Sequence, residues 1–239
     1  MPANKNISAV IITKNEENDI EQCIRSAQTC CDEVIVVDSL STDKTVSIAK
    51  KLGAKVIESP FLGYAETKNL GNASAKNDLV LSLDADEILS EELVASIQSL
   101  KETEALTDAY SFNRLNNYCG KWIKTSGWYP DKKIRIFPKS SRWQGEVHET
   151  IKLPKEVKVR HLEGDILHYS IATKAEHIAK EKKYASLAKP YPNVAAALIA
   201  AVFKFTKMFV FKRGFLDGKL GFQLALITAK AKLWRKKST

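Results

Sequence analysis

The sequence predicts an α/β fold with a mostly parallel sheet, followed by a basic, apolar tail. Between Ile7 and Asp84, near-continuous runs of Val, Ile and Leu alternate with helical patterns. Strands of this kind, separated by helices, indicate a parallel sheet covered on both faces. The chain has 239 residues, of which 44% are hydrophobic, so it can bury a full core.

The predicted elements follow one another in regular order. Strands are predicted at residues 7–13, 33–38, 55–59 and 78–84, and helices at 16–28, 41–53 and about 64–76. The first helix carries Ile20, Cys23, Ile24 and Ala27 on one stripe. The second begins in a Ser/Thr/Asp capping cluster and stops at Gly53. Ser90 is predicted to cap a further helix.

The net charge of +9 is concentrated in the tail. Ten basic residues and one acid, Asp217, lie between Val194 and Thr239, and the preceding residues are neutral overall. The sequence is therefore predicted to divide into a domain without net charge, residues 1–189, and a basic amphipathic helical tail, residues 190–239.

The tail contains an 18-residue apolar stretch after Asn193, interrupted by Lys204 and Lys207. A Lys buried in a bilayer costs ~2.5–3.5 kcal/mol, whereas at the interface its stem reaches the headgroups. We therefore expect this stretch, with a second helix at 222–237, to bind an anionic membrane surface. Packing of both helices against the rest of the protein is the alternative. A non-enzymatic protein whose basic tail binds nucleic acid is another. Nucleic acid is not expected, since Phe, Leu and Val interleave with the lysines.

The cellular compartment is predicted from the N-terminus and the cysteines. The apolar run Ile7–Ile12 is too short for the core of a signal peptide. The four cysteines have neither C-x-x-C spacing nor a His partner at ligand spacing, which speaks against zinc and disulfides. A reducing cytoplasm is expected.

Polar clusters follow three of the predicted strands. They are Thr13 to Glu16, Asp38-Ser39, and Asp84-Ala85-Asp86. Ligands of parallel sheets bind outside the carboxyl ends of the strands, so the clusters are predicted to form one site. Each cluster taken by itself also fits ordinary turn chemistry.

The clusters favour a metal-assisted phosphate site. Neither G-x-G-x-x-G nor G-x-x-x-x-G-K-[ST] occurs, so phosphate must be bound in another way. Asp84 and Asp86 would repel each other by ~1 kcal/mol or more unless a cation lies between them. Mg²⁺ or Mn²⁺, completed by substrate phosphates, fits two such carboxylates. The alternative is that Asp86 and Glu87 merely precede a helix, where acids suit the dipole.

Four stretches carry a resemblance to a known family. They are AVIITKNEENDIEQCIRSA, DEVIVVDSLSTDKTVSIAKKLGAKV, ETKNLGNASAKNDLVLSLDADE and EVHE. They resemble family 2 glycosyltransferases of GT-A fold, in particular the WaaE/KdtX-like lipopolysaccharide core group. The resemblance covers roughly residues 1–170, and GFLDGKLGF (214–222) is similar to the tail of that group.

The resemblance implies an inverting, metal-assisted transfer of a hexosyl or heptosyl group. The implied donor is a UDP-sugar, or alternatively an ADP-sugar, and the implied acceptor is a lipid-linked saccharide of the lipopolysaccharide core. Such an enzyme is expected on the cytoplasmic face of the inner membrane, as a peripheral protein.

Site residues carry over from the family by position. Asp86 resembles the metal ligand of the D-x-D motif, and Asp84 faces the ribose and the metal shell. Thr13, Asn15 and Glu16 resemble the loop that frames the base, and Lys68 stands where a basic residue lies near the nucleotide. Many members have two acids after the second strand. Here the pair is Asp38-Ser39, so Asp38 serves without a second acid or base recognition differs.

Inversion by single displacement needs a base for the proton of the acceptor hydroxyl. Glu146, His148 and Glu149 lie in RWQGEVHETI (142–151). VHE resembles the segment that supplies the base, so Glu149 is the predicted base, with His148 its neighbour or a contact of the metal shell. A solvated edge strand is the alternative.

Further candidates are a histidine and a group of aromatic residues. His168 is a candidate metal ligand, with packing beside Ile166 and Leu167 as the alternative. Four aromatic residues suit an acceptor surface, at least two of them being expected in the core: Trp122, Trp128, Tyr129 and Trp143.

Overall fold

The structure is a computed structural model that describes residues 5–102, 108–145 and 149–235. The chain divides into two compact units. The first consists of residues up to Arg114 together with Lys132–His168, and the second of Leu115–Asp131 together with the residues from Tyr169 onward. The predicted functional boundary between residues 189 and 190 stays a prediction.

The first part of the chain forms the predicted alternation of strands and helices. Its elements are β1 Ile7–Thr13, α1 Ile20–Gln28, β2 Glu33–Asp38, α2 Thr45–Lys51, β3 Lys55–Glu58, α3 Tyr64–Ala73 and β4 Leu79–Asp84. The four strands are parallel, in the order β3-β2-β1-β4. The register places Thr13 beside Asp38 and Ile12 beside Asp84. The three polar strand ends therefore meet at one edge of the sheet, as predicted.

Antiparallel strands continue this sheet beyond β4. The following elements are β5 Glu87–Leu89, α4 Glu91–Glu102, β6 Ala109–Tyr118, β7 Lys121–Ile123, β8 Lys132–Pro138, β9 Arg142–Gln144, β10 Thr150–Lys152 and β11 Val159–Ile171. Strand β8 lies antiparallel to β4, and β11 pairs with β5 so that His168 is opposite Glu87. Strands β9 and β10 form a separate two-stranded ribbon. The helix predicted after Ser90 is confirmed as α4.

The core lies on both faces of the parallel strands. Ile7, Ala9 and Ile11 of β1 pack with α1, whereas Val10 packs on the other face in the cluster that contains Ala65 of α3. Successive side chains of a strand point to opposite faces, so β1 is buried on both. Helix α3 approaches closely: a Cβ added at Gly71 would lie 2.3 Å from Cγ1 of Val10.

The second unit is mainly helical. It contains α5 Lys174–Leu187, α6 Val194–Thr206, a π-helical turn Lys207–Phe211, a 3₁₀ turn Gly214–Asp217 and α7 Gly218–Lys230. Asn193 caps α6, since its Oδ1 accepts a hydrogen bond from the backbone N–H of Ala196 at 2.8 Å. The GFLDGKLGF stretch needs a glycine at position 221, because a Cβ there would lie 1.9 Å from the carbonyl oxygen of Gly214. The 18 residues Val194–Phe211 are long and apolar enough to span a membrane, judged by length and composition.

Candidate active site

A cavity of about 430 Å³ opens at the carboxyl edge of the parallel strands. It lies within the first unit, and the loops after β1, β2 and β4 reach it together with β11. The polar residues that line it include Thr13, Glu16, Ser39, Asp84, Asp86 and His168. The predicted strand-end site therefore exists as one concave surface.

Asp86 and His168 form a pair in this cavity. Nε2 of His168 lies 3.1 Å from Oδ2 of Asp86. A carboxylate and an imidazole this close can contact one divalent cation, with substrate phosphates and water as the other ligands. Within residues 5–102, 108–145 and 149–235, no group of three or more His, Cys, Asp or Glu is arranged to hold a metal. The residues fit a metal ion that depends on its substrate for the rest of its ligands.

Asp84 is balanced by two protein cations. Nζ of Lys68 lies 3.2 Å from Oδ1 of Asp84, and Nη2 of Arg135 lies 3.3 Å from Oδ2. Burial disfavours the ionised carboxylate, but Arg135 and Lys68 outweigh this effect and hold the pKa of Asp84 well below its usual range. Arg135 also lies 2.6 Å from the fully buried Glu87. The crowded acids after β4 are thus compensated from α3 and β8, and Asp84 has charge partners other than a metal ion.

Glu149 joins the same charged network through Lys68. The buried Nζ of Lys68 lies 2.8 Å from Oε1 of Glu149 and 4.8 Å from the ring centroid of Trp143. Burial raises the pKa of Glu149, but the hydrogen bond and charge of Lys68 prevail and lower it below its usual value. Glu149 is therefore ionised at neutral pH and able to accept a proton.

The ribbon is fixed to α3 by a pair of hydrogen bonds. The side chain of Asn69 accepts from the backbone N–H of Trp143 at 2.9 Å and donates to its carbonyl at 3.0 Å. This clamp fixes β9 and its partner β10 on α3, and Glu149, directly before β10, lies beside Lys68. Glu146 and His148, the other candidates in this stretch, lie outside the described residues.

Thr13 and Glu16 line the cavity, and their part in framing a nucleotide base stays a prediction. Within the described part of the chain, Oγ1 of Thr13 is buried and has no hydrogen-bond partner, so a ligand could supply one. Burial and the carboxylates of Asp86, Asp19 and Asp43 raise the pKa of Glu16 to about 7. Negative charge therefore dominates this end of the cavity, which favours a cation there.

Asn15 and Asp38 are engaged in the loops around the cavity. Oδ1 of Asn15 accepts from the backbone N–H of Thr42 at 2.8 Å. Both carboxylate oxygens of the fully buried Asp38 accept from Ser41. These contacts support the shape of the loops, and the predicted contact of either residue with a nucleotide stays a prediction.

Comparison with known proteins identifies the family. Residues 8–152 match the family model described as glycosyl transferase family 2. The chain belongs to glycosyltransferase family 2. An uncharacterised glycosyltransferase of Rickettsia typhi is 36% identical over 97% of this chain and 85% of its own length. The lipopolysaccharide core biosynthesis glycosyltransferase LpsC of Rhizobium meliloti is 26% identical over 76% of this chain and 69% of its own.

The solved structures similar to this glycosyltransferase include glucosyl-3-phosphoglycerate synthase from Mycobacterium tuberculosis, in complex with Mn²⁺, UDP and glucosyl-3-phosphoglycerate. The likeness has a TM-score of 0.37 and 27% identity, and it covers 47% of this chain and 44% of that one. The family match, together with the parallel strands and their antiparallel continuation, gives this glycosyltransferase the GT-A fold, so the predicted fold class is confirmed.

The sequence pattern does not predict several residues of this glycosyltransferase site. Arg135 lies in β8, where nothing in the local pattern distinguishes it from a solvent-exposed arginine. Thr67 lines the cavity next to Lys68, in the segment TKNLGNA that carries part of the family resemblance. Phe61 and Tyr64 also line it and form an edge-to-face pair with ring centroids 5.2 Å apart. Both are half exposed, which suits stacking against a base or sugar.

The candidate acceptor aromatics divide as expected. Trp143 is buried against Phe137, and the half-buried Trp128 packs edge-on against Tyr118 of the core of the second unit. Both have the packing role expected of at least two of the four aromatic residues. Trp122 lies edge-on against Tyr169, and acceptor contacts of Trp122 and Tyr129 stay predictions.

Proposed function

We propose that this glycosyltransferase transfers a sugar, with inversion, from a nucleotide-diphosphate sugar to a lipid-linked saccharide, using Mg²⁺ or Mn²⁺. The observation that carries the proposal is the arrangement of Asp86 with His168 at one side of the cavity, and of Lys68 with Glu149 beside Asp84. The first pair suits a metal-bound diphosphate, and the second suits proton removal from an acceptor.

Asp86 and His168 would hold the metal ion. A bound divalent cation would neutralise the charge that develops on the departing diphosphate. The imidazole favours Mn²⁺, because Mg²⁺ prefers an all-oxygen shell. Thr13, with its unpaired hydroxyl, and the aromatic pair Phe61–Tyr64 would contact the nucleotide part of the donor.

Glu149 would accept the proton of the acceptor hydroxyl. It is ionised at neutral pH, as a base must be, but its lowered pKa makes it a weak one. Lys68 is shared between Glu149 and Asp84. A donor phosphate that draws Lys68 away from Glu149 would raise the pKa of this carboxylate and strengthen the base once the donor is bound.

The proposed acceptor is a lipid-linked saccharide of the lipopolysaccharide core. The similarity to LpsC, which is named a lipopolysaccharide core biosynthesis glycosyltransferase, supports a core saccharide as acceptor. UDP-sugars are the first donors to test, followed by ADP-sugars, with hexoses and heptoses in both sets.

A test measures release of nucleoside diphosphate from each donor, with and without a lipid-linked core fraction, in the presence of Mn²⁺. One donor should give release that the acceptor fraction stimulates. Glu149→Gln should bind that donor normally and lose transfer by about a hundredfold or more. Full turnover by Glu149→Gln would remove the assignment of the base, and no release from any donor would contradict the proposed reaction.

A further inference from the structure

The outer face of α6 is an exposed apolar surface within the second unit. Leu198, Ile199, Val202 and Phe203 form it, and with Thr206 they line a shallow groove of about 460 Å³. Ile199 is 71% exposed and Phe203 65%. We call these four residues the apolar face. A contiguous apolar surface of this kind marks an interaction site in a folded protein.

The inner face of the same helix is already covered. Ala197 and Ala201 are buried, and Met208 in the following turn packs with Leu224 and Ala225 of α7. Beyond that turn, Phe211 and Leu216 are again largely exposed, at 73% and 61%. The exposed apolar side chains therefore extend past α6.

Exposed cations accompany this surface. Lys207, Lys212, Arg213 and Lys219 are all exposed and follow the apolar face within the same segment. The one acid of the tail, Asp217, has its carboxylate 3.2 Å from Nζ of Lys121. The segment thus combines apolar side chains with an excess of positive charge, and its partner should be apolar with an anionic border.

We propose that the apolar face of α6 binds in the plane of an anionic membrane surface. The apolar side chains would enter the boundary of the acyl chains, and the nearby cations would contact anionic headgroups. Lys204, which interrupts the apolar stretch, is half-buried and can reach the headgroups by its stem. The proposal rests on the tail's own residues and is independent of the sugar-transfer reaction.

Two other arrangements fit less well. The helical segment Val194–Phe211 is about 27 Å long at 1.5 Å per residue, close to the ~30 Å hydrocarbon core of a bilayer, but a span would bury Lys204 and Lys207 in that core. If α6 crossed the bilayer by itself, its buried face would also have to lose its packing against α7. A second copy of this chain docked symmetrically on the apolar face would bring the same cations together, and like charges repel.

The test is sedimentation of the full-length chain with vesicles of phosphatidylcholine, with or without phosphatidylglycerol. Wild type should bind the anionic vesicles, and binding should weaken with salt. Ile199→Gln with Phe203→Gln should lower the partition coefficient at least tenfold. Lys207→Gln with Lys219→Gln should lower it about 25-fold, at about fivefold per charge. Lys207→Gln with Lys219→Gln should hardly change binding to neutral vesicles.

The control is Val159→Gln, which removes an apolar side chain of 48% exposure from a strand of the first unit and should bind like wild type. All replaced residues are exposed, and thermal melting confirms that each variant is folded. Binding unchanged in both double variants would overturn the proposal. If alkaline carbonate fails to extract the protein from membranes, the helix spans the bilayer, and the proposal is overturned as well. A dimer abolished by Ile199→Gln with Phe203→Gln would show that a second copy is the partner.

Discussion

Lys68 is predicted to stabilise the protein through Glu149, and Lys68→Met tests this directly. The side chain of Lys68 is 1% exposed, and those of its partners Glu149 and Asp84 are 22% and 30% exposed. Removing one member of a buried ion pair costs about 3–5 kcal/mol, and the partial exposure of the carboxylates favours the lower end of that range. Met keeps an unbranched side chain of similar length but removes the ammonium group, which also lies 4.8 Å from the ring centroid of Trp143. The melting temperature should fall by about 6–12 °C, at 2–4 °C per kcal/mol.

The decisive quantity is the coupling between Lys68 and Glu149. Urea unfolding of wild type, Lys68→Met, Glu149→Gln and the double variant gives this coupling free energy, which should be about 1–3 kcal/mol. Lys50 and Glu58 provide a matched control, since they are 2.9 Å apart, against 2.8 Å for Lys68 and Glu149, but are 58% and 50% exposed. Their coupling should stay below about 1 kcal/mol.

The pH dependence of the coupling has a definite sign. The pKa of Glu149 in the folded protein is lower than its usual 4.5, so the ion pair contributes stability above that value. The contribution should disappear as the pH falls through the lowered pKa. Additive effects of Lys68→Met and Glu149→Gln at neutral pH, or a coupling that survives acidification, would refute the reasoning.

Two further predictions concern the cavity and the core. The pKa of Glu16 is about 7 in the folded protein against 4.5 ordinarily, so its ionisation destabilises the fold as the pH rises between these values. Glu16→Gln should raise the free energy of unfolding by about 1 kcal/mol above pH 7, after allowance for solvent screening, and leave it unchanged below pH 4.5, in urea titrations. Gly71→Ala should cost about 1–3 kcal/mol by overpacking against Val10, and Val10→Ala in the same chain should recover part of that loss. An equal effect of Glu16→Gln at both pH values, or strict additivity at Gly71 and Val10, would contradict these accounts.

The parallel half of the fold was predictable because its strands are buried on both faces. Four of the five residues from Ile7 to Ile11 are apolar and buried, and the fifth, Ser8, donates its hydroxyl to Glu33. The helix between β1 and β2 shows its stripe through Ile20, Cys23 and Ile24. Local pattern and burial agree there. The antiparallel strands after β4 were less visible, since their order in the sheet depends on pairing between distant segments.

The site was predictable only as far as strand order places residues together. Thr13, Glu16, Asp84 and Asp86 reach the cavity because parallel strands align their carboxyl ends. Arg135 was missed because its partner Asp84 is 51 residues away.

Asn15 and Asp38 show a second limit of sequence reasoning. A polar residue at a strand end can face a ligand or satisfy its own loop, and both choices have the same local sequence. Asp38 uses Ser41, three residues further on. The crowded acids after β4 predict a divalent ion between Asp84 and Asp86, which stays a prediction, while Lys68 and Arg135 already balance Asp84 from within the protein.

The central claim is that Asp86 and His168 hold a metal ion that binds the donor diphosphate. Calorimetric titration of UDP, with and without Mn²⁺, tests it in wild type, Asp86→Asn and His168→Gln, with the exposed Glu58→Gln as control. Tight binding should require Mn²⁺ and weaken about tenfold or more in both site variants, while the control should bind like wild type. Metal-independent binding that Asp86→Asn leaves unchanged would contradict it.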